Sequence, residues 1–259
     1  MSLIVDTLEG TIDRVAVAID RIRAHTPEEG LYVAFSSGKD SIVALWIVEQ
    51  SGVKFDAHMN LTTVDPPELV RFAREHYPQV AMERPDTSMF KLIVKKHYPP
   101  TRKVRYCCDY LKERGGSGRI IVTGIRWEES SRRAQRGMFE ACKYGRGKRY
   151  LHPLIDWSTS DVWELIHREG LPYPSLYDPP DSMRRVGCVM CPLTGNMAKE
   201  AERWPKIASM YRRACRKSFD EYFATRENVK WKDGDEMYEW WVSGAKKTCD
   251  DPQLFPMDN

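Results

Sequence analysis

The chain has 259 residues, 42% of them hydrophobic, and a net charge of +3. That suffices for one large or two small domains with a substantial core, and the overall charge is too small to define a partner. No apolar run approaches the roughly 20 residues of a membrane span, and the start, MSLIVDTLEGTIDRV, lacks the features of a secretory signal, so a cytoplasmic protein with no membrane contact is expected.

Apolar positions at helical spacing over residues 3 to 25 (Ile12, Val15, Ala16, Ile19, Ile22) predict an opening amphipathic helix. LYVAF at 31–35 reads as a strand, 40–50 as a helix ending at Ser51 and Gly52, and KFDAHMNLTT as a second strand. Pro66 and Pro67 start a helix that runs to about His76, since proline in the first turn loses no intrahelical bond. VAMERP is a third strand, TSMFKLIVKKH a helix, and GRIIVTGIR at 118–126 a β-branched strand. A further strand or loop then leads into a helix in WSTSDVWELIHREG, with Ser160 as the expected N-cap and Gly170 as the stop. Strands alternating with helices predict an α/β fold: an open, mostly parallel twisted sheet with helices on both faces and ligands at the carboxyl ends of the strands. Two parts are expected, a nucleotide-binding α/β domain over 1–180 and a cysteine-containing, mainly helical region over 181–259.

Between LYVAF and the helix lies SSGKDS, residues 36–41. A small polar loop opening a helix is an anion site, because loop and first-turn N–H groups have no intrahelical partner and the helix dipole favours negative charge. Gly38 permits close backbone approach, Ser36 and Ser41 offer hydroxyls, and Lys39 adds charge. The GxxxxGK[ST] spacing of a Walker loop is absent. The stretch resembles instead the SGGxDS loop of the PP-loop ATP pyrophosphatases, with Ser37 at the second position, where glycine usually stands. RYCCDYLKE, GIRWEESSRR, PLIDWSTSDVWELI, GLPYPSLYD and RRVGCVMCPL follow in the order expected of the phosphoadenosine-phosphosulfate (PAPS) reductase family, which the chain resembles over about residues 30 to 195.

That resemblance implies an adenine-nucleotide α-hydrolase-like fold, and either cleavage of ATP between its α and β phosphates or action on an adenylylated sulfate. It implies that Ser36, Ser37, Gly38, Lys39, Asp40 and Ser41 cradle the phosphates, with Gly124, Arg126, Glu129, Ser130 and Arg133 beside them. Lys39, Asp40, Arg126 and Arg133 carry the expected catalytic roles: Arg126 and Arg133 for charge stabilisation, Asp40 as a Mg²⁺ ligand if the substrate is ATP. Arg132 is read as part of a solvated basic face. TTVD at 62–65 departs from the family's usual segment after the second strand.

Seven cysteines in such a chain point to metal ligands or reactive thiols rather than a disulfide framework. Cys107 and Cys108 are adjacent, Cys142 stands alone, and Cys188 and Cys191 form CxxC followed by proline. CC with GCxxCP resembles the [4Fe–4S] ligand set of the assimilatory adenylyl-sulfate reductases, and thiolates suit iron–sulfur chemistry; zinc is the alternative metal. Five thiols compete for four places, so a split set of Cys142, Cys188, Cys191 and one of the adjacent pair stays open beside the set using both. Cys215 is expected to be packing, and Cys249 an exposed tail residue. Tyr238, Trp240 and Trp241 are expected on a helix that buries its aromatics, with a partner-docking face as the other reading.

A sulfonucleotide reductase needs a Glu-Cys-Gly-(Leu/Ile)-His tail; here the tail reads GAKKTCDDPQLFPMDN, with a cysteine but no flanking signature. The preferred expectation is therefore an ATP pyrophosphatase that adenylates a target so that sulfur can replace its oxygen. It resembles the cluster-bearing subunit of DNA phosphorothioation systems, which works with a cysteine desulfurase. Residues 101–150 carry fourteen basic and five acidic side chains, which fits a nucleic-acid substrate or a charged partner. A non-catalytic nucleotide-binding cluster protein is a further alternative.

Overall fold

The computed structural model describes residues 3–7, 10–142, 147–227 and 229–244. In chain order the elements are β1 (Ile4–Thr7), β2 (Gly10–Asp13), α1 (Arg14–Ala24), β3 (Leu31–Ala34), α2 (Lys39–Ser51), β4 (Phe55–Asn60), α3 (Pro67–His76), β5 (Ala81–Glu83) and α4 (Met89–Lys96). There follow β6 (Ile120–Val122), β7 (Phe139–Ala141), β8 (Arg149–Leu151), α5 (Thr159–Arg168), α6 (Met197–Arg203), α7 (Pro205–Ser218) and α8 (Gly234–Val242). They fall into two compact units: Met1–Leu61, Pro67–Arg84 and Arg114–Gly187 in the first, Thr62–Pro66, Pro85–Glu113 and Cys188–Asn259 in the second.

The first unit holds a six-stranded sheet ordered β5-β4-β3-β6-β8-β7, parallel except for the antiparallel β7–β8 pair. It is the expected mostly parallel α/β sheet with helices on both sides. β3 is central; successive strands are laid down on one side of it through β5 and on the other from β6 onward. The carboxyl end of β3 is thus a switch point, where open α/β sheets bind ligands. α2 buries residues all round (Ile42, Val43, Ala44, Leu45, Ile47, Val48) because α1 and α5 pack on it. A helix apolar on every side is an interior helix, and here it fixes the loop that precedes it.

The opening differs from the helix expected over residues 3 to 25: β1 and β2 form an antiparallel hairpin, and α1 begins only at Arg14. Asp13 is the reason. Its carboxylate accepts the N–H groups of Val15 and Ala16, ending the strand and capping the helix. Ile12, read as a helix-face residue, sits on β2 and is 44% exposed. The N-cap of α5 is Ser158 rather than Ser160: its hydroxyl accepts the Asp161 N–H while the Asp161 carboxylate accepts the Ser158 N–H, a reciprocal capping box.

In the second unit α4, α6 and α8 pack on α7. Gly234 lets α8 begin against the α7 backbone, since a Cβ there would stand 2.3 Å from the Arg216 Cα. Tyr238 and Trp241 are buried, and the Trp241 indole donates to the Pro100 carbonyl (2.7 Å); Cys215 is buried on α7. These are the packing roles expected of them. Among the described residues no helix is long and apolar enough to cross a membrane.

Candidate functional site

The loop between β3 and α2 is held by its own serines. The Ser41 hydroxyl donates to the Gly38 carbonyl (2.8 Å) and accepts the Ser36 N–H (3.1 Å), with the Ser36 hydroxyl 3.2 Å away. Ser37 is buried, its hydroxyl against the Met59 sulfur at 3.5 Å, and takes φ 57°. Left-handed backbone normally belongs to glycine, so this serine holds a conformation that glycine would reach without cost. Gly38 is the N-cap of α2, and Lys39 and Asp40 form its first turn.

Lys39 is buried and its ammonium lies 3.0 Å from Asp40 Oδ2. Arg126 Nε donates to Asp40 Oδ1 (2.7 Å). Arg126 is 1% exposed, and its remaining donors go to Glu128 (3.0 Å), the Trp157 carbonyl (3.1 Å) and the Thr159 hydroxyl (3.2 Å). Its guanidinium is therefore spent on fixing Asp40 and the start of α5. Gly124 is a close approach: a Cβ there would stand 2.4 Å from the Asp40 carbonyl oxygen, so only glycine lets the chain leaving β6 touch the first turn of α2.

The Glu129 carboxylate accepts the Arg126 N–H (3.0 Å) and pairs with Arg133. The Arg133 N–H donates to the Ser130 hydroxyl (3.3 Å). Burial makes the Arg133 charge less favourable, its Glu129 partner opposes that, and the Arg185 guanidinium adds to it. An arginine crowded by another cation is a natural anion receptor. The first unit thus brings together the expected loop residues with Gly124, Arg126, Glu129, Ser130 and Arg133.

Three contributors escaped the sequence reading. The Tyr177 hydroxyl accepts the Lys39 N–H (3.0 Å), and burial pushes its pKa up. Glu128 bridges Arg126 and the Thr159 N–H. Thr159 takes the far end of the Arg126 fork. All three lie in family-like stretches (GLPYPSLYD, GIRWEESSRR and PLIDWSTSDVWELI), but which partners they meet is set only by the fold.

Four of the five candidate cysteines belong to the second unit. Cys107 and Cys108 stand at the start of a π-helical turn, Cys108–Lys112; Cys188 and Cys191 flank a tight turn whose Met190 has φ 58°. The four thiols lie within electrostatic reach of one another, and Arg105 donates to the Cys108 sulfur (3.1 Å). Cys108 is drawn down to about 5 by a hydrogen bond from the Cys107 thiol, against the effect of burial, with Arg105 and Lys112 adding to the fall. Burial pushes Cys188 up, while the Lys112 ammonium pulls the other way. Cys142 belongs to the first unit, past the end of β7; its N–H donates to the Lys148 carbonyl (2.9 Å), and the Tyr150 hydroxyl lies 4.0 Å from its sulfur. Among the described residues no three Cys, His, Asp or Glu side chains close on a single metal ion. In donor type and number, with two cations beside it, the four-thiol group fits a thiolate-held iron–sulfur cluster, which is bulkier than one ion and needs its ligands further apart. Cys249 lies outside the described residues.

Fold and loop define an α/β unit of the nucleotide-binding class, with its candidate site at the carboxyl end of the central strand. Residues 30–194 match the phosphoadenosine phosphosulfate reductase domain, and the chain belongs to that family. It is 27% identical over 238 residues to the uncharacterized protein MJ0066 of Methanocaldococcus jannaschii, covering 85% of this chain but 49% of that one; the chain thus spans about half the length of that relative. It is 26% identical over 192 residues to the adenosine 5'-phosphosulfate reductase of Staphylococcus haemolyticus, covering 68% of this chain and 76% of the relative. Among solved structures, the phosphoadenylyl-sulfate (PAPS) reductase of Candida auris superposes with a TM-score of 0.50 at 18% identity, over 66% of this chain and 87% of that one, a likeness of fold.

Proposed function

We propose that this protein is an ATP pyrophosphatase that adenylates an acceptor oxygen, on a nucleic-acid backbone, releasing pyrophosphate so that sulfur from a cysteine desulfurase can displace the AMP. The observation that carries this reading is the Lys39–Asp40–Arg126 arrangement at the switch point. A carboxylate 18% exposed and gripped by two buried cations is held in a fixed orientation, and its remaining lone pairs would hold Mg²⁺ against a triphosphate. Arg126 would then act through Asp40, and Arg133 would meet the phosphates. Cys107, Cys108, Cys188 and Cys191 would hold a [4Fe–4S] cluster, which supplies a site for sulfur binding or electron transfer. The basic stretch from 101 to 150 supports the acceptor class less strongly than its charge count suggests. Arg119, Arg126, Arg133 and Arg136 are paired with Asp56, Asp40, Glu129 and Glu140, and Lys143 and Arg146 lie outside the described residues.

The test is pyrophosphate release from ATP by anaerobically purified protein, with and without DNA; stimulation by DNA is the expected result. A second reading, sulfonucleotide reduction, is favoured by the adenosine 5'-phosphosulfate reductases among the relatives. It predicts thioredoxin-dependent sulfite from adenylyl sulfate, abolished in Cys249→Ser. On the preferred reading that variant behaves as the wild type.

A further inference from the structure

The turn between Cys188 and Cys191 has almost all of its backbone committed to other parts of its unit. The Val189 N–H donates to the Val64 carbonyl (2.8 Å), and the Val189 carbonyl accepts the Tyr211 hydroxyl (3.3 Å). The Cys191 carbonyl accepts the N–H and the hydroxyl of Thr194 (3.0 and 2.9 Å). Between the cysteines sits Met190, fully buried and left-handed at φ 58°. The Met190 N–H donates to one side chain, the carboxylate of Glu200 on α6 (2.5 Å), whose charge the neighbouring Cys191 N–H also favours. Glu200 is 8% exposed.

A carboxylate is costly to bury unless its oxygens are bonded, and an apolar side chain would fill the same space. What a carboxylate adds is an acceptor for the N–H of the left-handed Met190, the residue that turns the chain between the two cysteines. We propose that Glu200 is a positioning residue for the thiol centre. By accepting the Met190 N–H it fixes the turn that keeps the Cys188 and Cys191 thiols as neighbours, and it withholds that N–H from sulfur. The cluster half of this inference rests on the function proposed above; the geometry of the turn does not. Hydrogen bonds to cluster sulfurs and nearby charge tune reduction potential. A carboxylate that occupies the Met190 N–H and adds its negative charge therefore holds the potential lower than an amide, which supplies an acceptor without the charge.

The experiment compares the full-length chain with Glu200→Ala and Glu200→Gln, and with Glu202→Gln on the exposed side of the same helix as control. Glu200→Gln keeps one acceptor oxygen and the same volume, so it remains informative if the alanine variant does not fold. In metal-free protein, alkylation of each cysteine by iodoacetamide is followed by mass spectrometry. Cys188 and Cys191 should react about tenfold faster in the Glu200 variants, with Cys107 and Cys108 unchanged. In anaerobically purified protein, Glu200→Gln should release iron to a chelator on the order of tenfold faster and show a raised reduction potential and an altered paramagnetic resonance spectrum, with Glu202→Gln matching the wild type. Wild-type rates at Cys188 and Cys191 in both variants would overturn the positioning role. If the wild type carries no iron, the cluster reading fails and the alkylation result alone decides the role of Glu200. Faster alkylation with an unmoved potential would overturn the tuning half.

Discussion

Asp40 is the side chain on which the proposed chemistry turns, and its neighbours set the terms of any substitution. Asp40→Ala removes one of the two carboxylates bonded to the buried Arg126 guanidinium and leaves Glu128 in place, so some loss of stability accompanies it. Asp40→Asn keeps an oxygen for Arg126 Nε but turns its amide N–H groups toward the Lys39 ammonium, so the Lys39 bond is lost with the charge. Pyrophosphate release should be abolished in both, with the thermal midpoint of Asp40→Asn falling less than that of Asp40→Ala; turnover that survives in Asp40→Asn would take the carboxylate out of the mechanism. Gly124→Ala tests the same contact from the other side. Its Cβ would stand 2.4 Å from the Asp40 carbonyl oxygen, so the backbone has to move. Denaturant titration should find a loss of about 1–3 kcal/mol, with turnover falling alongside. The need for glycine at 124 could not be read from the sequence, because the partner is backbone 84 residues away. SSGKDS was legible because its chemistry is local.

At the scale of elements, the alternation of strand and helix from LYVAF through α4 was readable because each run has its own period and its own stop. The first hairpin was not: Ile12 falls in step with the helix face of Val15 and Ile19, and the aspartate at 13 starts the helix only after it. The end of the sheet around β7 and β8 was only partly visible, since a three-residue strand leaves too little periodicity to count. That corner carries a pH dependence. His152, just past β8, is fully buried, its Nδ1 bonded to the Thr123 hydroxyl (2.7 Å) and its Nε2 3.7 Å from Glu140. Burial, with the Arg136 guanidinium adding to it, pushes its pKa down to about 4, against the opposing charge of Glu140. The unfolded chain therefore takes up a proton near pH 6.5 that the folded chain refuses until about pH 4. Stability should fall as the pH drops through that window and level off for this group below it. The loss is about 2–3 kcal/mol as an order of magnitude. Glu140, whose charge Arg136 favours, loses its contribution in the same direction as it protonates. Urea titrations at pH 7 and 4.5 should show a smaller difference in His152→Gln than in the wild type; an equal difference would place the acid sensitivity elsewhere.

For the whole molecule, the cysteine pattern carried the most information and the least geometry. CC and CxxC stand about eighty residues apart in sequence, and nothing local says that Pro85–Glu113 and Cys188–Asn259 share a compact unit while Cys142 belongs to the other. That partition bears on the choice between the two ligand sets left open by counting thiols. If the second unit supplies all four ligands, protein made without oxygen should be brown, with iron and acid-labile sulfide in roughly 4:4 proportion. Alanine at Cys107, Cys108, Cys188 or Cys191 should each bleach it. Cys142→Ala should keep its colour, since its sulfur neighbours Tyr150 in the hairpin and its backbone bonds do not depend on the thiol. Bleaching by Cys142→Ala together with only one of Cys107→Ala and Cys108→Ala would establish the split set and require the two units to share a cluster. A colourless anaerobic preparation with one equivalent of zinc would remove the cluster from the proposed chemistry and leave the four thiols a structural metal site, since zinc has no redox chemistry to offer.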